Sequence, residues 1–425
     1  MYLGVQMVRV ASGVEPGLGV RKVRFNRLFA LGAIAVVVPP TGESFFGASS
    51  VLLRAVILFL IGVYSVHILL GSLPQKNPSS CNYAVVLTLL LSSRQLVELG
   101  HEELQLTSVF GLAVTTLFIW TIWSLKPMIE WFRVVALFGA IVATACMIMS
   151  YLTPDVAFMV SELGNLQGAY KSSSGRGLLA GPFGNSNTLG IILATTIPFV
   201  FLWKTYSQRL IIVLPMLIAL WMAFSRTALI AALVVLVLGL ILHDRRVSQR
   251  FKRGVALAGI VVAGTLQVIL PFMISDPTFF TGRGGVWIAD TAAWRRHPWF
   301  GNGEEWHVGQ DGVQAGITYF GQTSSHNTAL GWLTFGGILY FLCCVIVTLL
   351  LIRISWKYML ASQWVPVLFV VATLIVGISE SHWHVFSTSP LFFIHGFILL
   401  GIVLSAHGPR LVPNSDISNR ASVQS

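Results

Sequence analysis

Three arginines, one histidine and a set of glycines stand out in a chain whose charged residues make up only 10% of the composition. Gly175-Arg176-Gly177 is followed by Gly181-Pro182-Phe183-Gly184-Asn185-Ser186-Asn187. Gly282-Arg283-Gly284 opens a second polar segment, which closes on Ser325-His326-Asn327. Phe224-Ser225-Arg226-Thr227 fills a hairpin-sized gap between two apolar runs. Guanidinium groups grip phosphate oxygens through a planar fork and stay charged at any accessible pH. The flanking glycines permit tight bends and close approach of the backbone. Asn185-Ser186-Asn187 opens an apolar run, whose first amides and dipole favour an anion. His326 is the candidate base: with Ser324 or Ser325 as cap it falls in a first helical turn, where the positive dipole end disfavours imidazolium. Together these groups imply a site for an anionic, phosphate-bearing substrate.

Other reactive types carry less. The bland reading of the arginines is interfacial snorkelling, or pairing with Asp155, Glu162 or Asp276. His297 and His307 sit in loop context with no fixed partner. His382-Trp383-His384, with Glu380, has the form of a metal pair, but no third ligand follows at a recognisable spacing, so a solvated loop is the reading. Cys81, Cys146, Cys343 and Cys344 form no C-x-x-C pair, which leaves neither a disulfide framework nor a zinc site.

The elements that must position these residues are membrane helices. Hydrophobic residues are 55% of the chain and the mean hydropathy is +0.78, values that exclude an ordinary soluble domain. Measured against the ~20 residues that cross a bilayer, the apolar runs give about twelve spans: roughly 28–46, 51–71, 81–99, 108–125, 134–152, 185–203, 209–225, 227–243, 254–274, 327–352, 363–380 and 389–407. Pro39-Pro40 interrupts the first, and the third carries Ser92, Ser93 and Arg94. The fold expected is all-α and polytopic: a cytoplasmic segment 1–27, a transmembrane body 28–408 and a flexible cytoplasmic tail 409–425. Large outward loops are expected at about 153–184 and 275–326, the second with a short interfacial helix over 285–296 that presents Trp287 and Trp294 on one face. Tryptophans near these boundaries read first as an interfacial belt. The basic stretch before Leu28 looks like a signal-peptide start, but no small-residue cleavage site follows, so an uncleaved first span is expected.

At these residues the chain resembles the O-antigen ligase and O-antigen polymerase superfamily of bacterial envelope glycosyltransferases. Gly181 to Asn187 is similar to that family's G-x-F-x-N-P-N segment, with Ser186 in place of proline, and Phe224-Ser225-Arg226-Thr227-Ala228 to its S-[RG]-[TG] hairpin. Thr281-Gly282-Arg283, Trp287, His297-Pro298 and Gly301-Asn302-Gly303 resemble the start of its large periplasmic loop. Ser325-His326-Asn327, Leu330 and Gly336-Gly337 resemble that loop's close. The resemblance implies an enzyme of the bacterial inner membrane whose donor is an undecaprenyl-diphosphate-linked glycan and whose acceptor is a glycan, lipid or protein hydroxyl at the outer face. It implies no cofactor, metal or nucleotide sugar. It gives Arg176, Arg226 and Arg283 to the diphosphate and His326 to the acceptor; Asn185, Asn187 and Asn327, adjoining these motifs, are further substrate-binding candidates. A lipid-linked oligosaccharide flippase or polysaccharide transporter is the competing reading, and a non-catalytic scaffold a third.

With the N-terminus inside, alternate loops divide the 27 Lys and Arg into 19 inner and 8 outer, and inner cations face an anionic leaflet, which accounts for most of the net charge of +11 without nucleic acid. Single cysteines engineered into 153–184 and 275–326 should therefore react with an impermeant thiol reagent from the outer side. Labelling of either loop from the cytoplasmic side alone would refute this topology.

Overall fold

The computed structural model describes residues 18–46, 49–71, 78–101, 106–159, 177–303, 305–307, 324–381 and 390–405. Arg176, the His382-x-His384 pair and the tail from 409 lie outside them. Among the described residues the chain is all-helical, apart from one isolated antiparallel bridge between Phe158 and Leu179. In chain order the helices are α1 (Leu18–Phe46), α2 (Ser50–Leu70), α3 (Pro78–Leu91), α4 (Ser93–Gly100), α5 (Leu106–Leu125) and α6 (Arg133–Leu152). They continue with α7 (Ser186–Thr196, prolonged by a 3-10 segment Ile197–Leu202), α8 (Tyr206–Ala223), α9 (Arg226–His243) and α10 (Gln249–Met273). The last four are α11 (Phe279–Arg296), α12 (Thr328–Leu360), α13 (Val365–Gly377) and α14 (Pro390–Val403).

Seven described stretches are long and apolar enough to cross a membrane: Leu18–Thr41, Cys81–Gly100, Ile129–Leu152, Tyr206–Ala223, Arg226–His243, Gln249–Met273 and Thr328–Leu360. Five shorter apolar helices, Ala55–Leu70, Leu112–Leu125, Ser186–Leu202, Val365–Gly377 and Ile394–Val403, fall where the sequence predicts the other spans. Two expectations change in detail. The first helix starts at Leu18 and runs through Pro39 and Pro40 without a break. The third span turns at Ser92 into α4, where Arg94 and Glu98 form a buried ion pair (2.8 Å) and Leu96 and Leu99 face outward.

Helix α13 is the axis of the half that carries the site. It is apolar on every side, and it is buried on nearly every side. It packs against α9, α10, α12 and the α7 extension. One end of this bundle is basic. There Arg133 donates to the Leu202 carbonyl (2.9 Å), Arg209 donates to the Trp203 carbonyl (2.8 Å), and the Lys252 ammonium lies over Trp364 (5.4 Å). The other end gathers the starts of α7, α9 and α12. A side chain on Gly190, in the second turn of α7, would strike Ser225 at the start of α9 (2.6 Å), and Thr227 shares a hydrogen bond with Ser379 after α13.

Helix α12 is broken at Gly336 (φ −127°) and Gly337 (φ 64°). A break frees backbone groups that must find partners where water is excluded. Residues 298–303, the turn after α11, supply them. Asn302 N donates to the Thr334 carbonyl (2.8 Å) and Gly303 N to that of Phe335 (3.0 Å), while Ile338 N donates to the Pro298 carbonyl (2.8 Å). The approach is so close that a Cβ on Gly301 would sit 2.4 Å from the Phe335 oxygen, and one on Gly337 2.3 Å from the Trp299 carbonyl carbon. Gly337→Ala and Gly301→Ala should therefore each lose at least the ~1–3 kcal/mol of a left-handed non-glycine residue, with clash added. Gly254→Ala, in the open on α10, should be neutral or mildly stabilising. Thermal unfolding of the purified protein checks this, and equal midpoints for the three variants would overturn the account of the break.

Candidate functional site

One carboxylate joins three elements. Glu380 follows the end of α13 and is 4% exposed. Arg283 of α11 donates from Nη2 to its Oε1, forming an ion pair. His326, just before α12, lies with Nδ1 3.3 Å from its Oε2, and Thr328 donates from Oγ1 to its backbone carbonyl (2.8 Å). A carboxylate with these oxygens accepts only, so Nδ1 is the donor in this contact and Nε2 is left for another partner. A charge at the end of an apolar helix is tolerated when paired in this way.

The glycines around Arg283 have a geometric reason. Asp276 accepts from the Thr278 amide (2.9 Å) and hydroxyl (2.7 Å), and these bonds hold its carboxyl below the ordinary value. The chain then folds back, with Gly282 at φ 92° and Gly285 N bonded to the Pro277 carbonyl (3.0 Å). A Cβ on Gly284 would lie 2.1 Å from the Asp276 carbonyl oxygen. Beyond this bend Arg283, Trp287 and Asp290 recur at i, i+4 and i+7, on one face of α11.

The structure revises the reading around His326. The cap of α12 is Asn327, whose Oδ1 accepts from Leu330 N (2.8 Å); His326 precedes the cap, in a left-handed conformation (φ 47°), and is not in the first turn. The Glu380 carboxylate, rather than a helix dipole alone, is therefore its nearest electrostatic influence. Asn327 is fully buried, and its amide donates to the carbonyls of Gln267 and Ile378 (2.9 Å each). Both polar atoms of that side chain are engaged within the bundle, so Asn327 braces α10, α12 and α13. Asn185 caps α7 by accepting from Asn187 N (2.8 Å); it stands exposed at the same end of the bundle. Ser186 uses the amide that a proline would lack to reach Met159 Sδ (3.3 Å). Arg226 is exposed, its guanidinium over the Phe224 ring (5.5 Å). Its neighbour Thr227 bonds Ser379, which places the start of α9 beside the Glu380 turn. The structure thus brings Arg283 and His326 together and sets Arg226 on the rim.

Two functional groups escaped the sequence reading. Glu380 was grouped with a metal motif, although a lone acid directly after a long apolar run was itself a signal of a paired buried charge. His307 does have a fixed partner, Asp290, at 3.1 Å. The tryptophan belt is also revised in part. Trp287 is fully buried and donates to the Ser325 carbonyl (2.9 Å), and Trp306 and Trp332 are buried too, while Trp299 remains exposed. Comparisons with protein-family models and with curated proteins find no match for the chain.

Because Arg283 and Glu380 compensate one another, losing either strands the other in a site of low exposure. Arg283→Ala and Glu380→Ala should each destabilise, and the double variant should lose less than the sum by about 0.5–3 kcal/mol. Denaturation of the four proteins measures this coupling; strict additivity would show that the ion pair has no energetic weight.

Proposed function

We propose that the chain is a membrane glycosyltransferase. It would move a glycan from an undecaprenyl-diphosphate-linked donor to a hydroxyl acceptor, at the outer face of the bacterial cytoplasmic membrane. The observation that carries this reading is the Arg283–Glu380–His326 constellation: a guanidinium and an oriented imidazole joined by one buried carboxylate. The sequence resemblance points to two of these residues, Arg283 and His326. The seven long apolar helices and five shorter ones are read here as the twelve spans, some of the short ones not crossing the full bilayer.

Depth and charge support the orientation. The 13 residues of α13 rise about 20 Å, short of the ~30 Å hydrocarbon core. With its basic end at the cytoplasmic surface, Glu380 would lie below the outer interface, in a depression where long-lipid substrates present their headgroups. The starts of α7, α9 and α12 converge there, and helix N-termini favour anions.

In the reaction proposed, His326 Nε2 takes the proton of the acceptor hydroxyl as its oxygen attacks the anomeric carbon. The bond from that carbon to the diphosphate oxygen breaks, and the lipid diphosphate leaves with the electron pair. Arg283 keeps donors on Nε and Nη1 for the developing charge, and Arg226 supplies a second guanidinium from the rim. Glu380 holds the imidazole in its working tautomer, as the carboxylate does in a carboxylate–histidine pair. Direct displacement inverts the anomeric centre. A double displacement would call on Glu304 or Glu305, whose side chains lie outside the described residues.

Purified protein given a lipid-diphosphate glycan and an acceptor should form product and release lipid diphosphate. His326→Ala should retain donor binding yet slow single-turnover transfer by ~10²–10⁴-fold. Arg283→Lys and Arg226→Lys should rescue poorly, since an ammonium lacks the fork. Near wild-type turnover in these lysine variants would refute the bidentate role. Movement of the glycolipid between leaflets without product would favour a flippase instead.

A further inference from the structure

We propose that Asp290 is a positioning residue for His326, acting through His307 and Ser325; the proposal rests on reading His326 as the base. Asp290 is fully buried and lies on the α11 face that also carries Arg283 and Trp287. Its Oδ1 accepts from Trp306 Nε1 (2.8 Å), and both carboxylate oxygens accept from His307 Nε2 (3.1 and 3.2 Å). The Arg296 guanidinium covers the Trp306 ring at 5.8 Å, which closes this cluster on a third side. Ser325 Oγ lies 3.4 Å from the same His307 nitrogen. Thus the Ser325 hydroxyl rests against His307 as a long third acceptor of the hydrogen shared with Asp290, and its carbonyl accepts from Trp287 of α11.

The residue so held is the one directly before His326, and His326 has a left-handed backbone (φ 47°), a conformation uncommon for non-glycine residues though less so for histidine. Such a conformation persists only where its surroundings over-determine it. Glu380 fixes the ring of His326, Asn327 fixes the backbone after it, and the Asp290–His307–Ser325 chain fixes the backbone before it. A nucleophilic Ser-His-Asp triad is excluded by the geometry. In a triad the hydroxyl and the carboxylate meet different ring nitrogens, whereas here both meet Nε2, and Ser325 is buried.

Asp290→Asn keeps the volume and an acceptor for Trp306 but removes the charge that holds His307. With the full-length protein, single-turnover transfer from an undecaprenyl-diphosphate glycan should fall by about 10–100-fold, with donor binding retained. In the His326→Ala background the same substitution should slow the residual rate no further, because Asp290 acts only through His326. His307→Gln, whose amide nitrogen stands near the Nε2 position, should retain the rate, and His307→Leu should not. Carbethoxylation of His326 by diethyl pyrocarbonate, followed by peptide mass spectrometry, reads its position without any turnover. That rate should change several-fold in Asp290→Asn, with His297 unaffected as a control. An unchanged His326 modification rate overturns the proposal, as does an equal loss of transfer in both backgrounds. Wild-type protein that transfers no glycan would overturn the enzymatic reading instead, and the modification rates would still decide the tether.

Discussion

The buried carboxylate of Glu380 is the constraint on which the rest of this site depends. An ionised group at the end of an apolar helix must be compensated or become neutral. Arg283 supplies the compensating charge from α11 and His326 a hydrogen bond from the segment before α12. Since each partner comes from a different element, satisfying one carboxylate fixes the mutual placement of three helices. The bend at 276–285 and the cap at Asn327 are the local devices that let those elements reach it.

A second constraint is backbone accounting. Breaking α12 at Gly336–Gly337 leaves carbonyls and amides that cannot be abandoned at membrane depth. The turn 298–303 meets them almost backbone to backbone, which is why glycine stands at 301 and 337. That docking anchors the C-terminal side of α11 to α12 just as Arg283 anchors its start to Glu380. The helix that presents Arg283, Trp287 and Asp290 is therefore held at both ends, and a face held at both ends can position a reactive segment without rigid packing along its whole length.

Much of this was legible in the chain. Apolar runs located the helices, the glycine clusters marked the bends, and Arg283 and His326 were both expected in one site, where the fold places them on one carboxylate. What the sequence hid were partners distant in the chain. Glu380 lies 54 residues beyond His326, and no local spacing links them. An exposed and a buried asparagine are the same letter in a sequence; only the three hydrogen bonds of the Asn327 side chain reveal a brace. His307 seemed unpartnered for the same reason, its carboxylate lying 17 residues back on the far side of a turn. Periodicity reports which face of a helix is apolar, but it cannot report which polar group on another helix meets that face.

The sharing of Arg283 has a consequence for the chemistry proposed. A guanidinium offers five N–H donors, and the contact with Glu380 uses one of the two on Nη2, so a phosphate that forks the other Nη2 hydrogen with its neighbour on the same edge would leave the ion pair unbroken. Anion binding there would draw on the same charge that neutralises Glu380. As Arg283 turns part of its field toward the diphosphate, the carboxylate loses compensation on one oxygen and leans more on His326 through the other. Donor binding would thereby strengthen the hold of Glu380 on the imidazole, and a better-oriented, more basic ring is what an incoming acceptor hydroxyl requires.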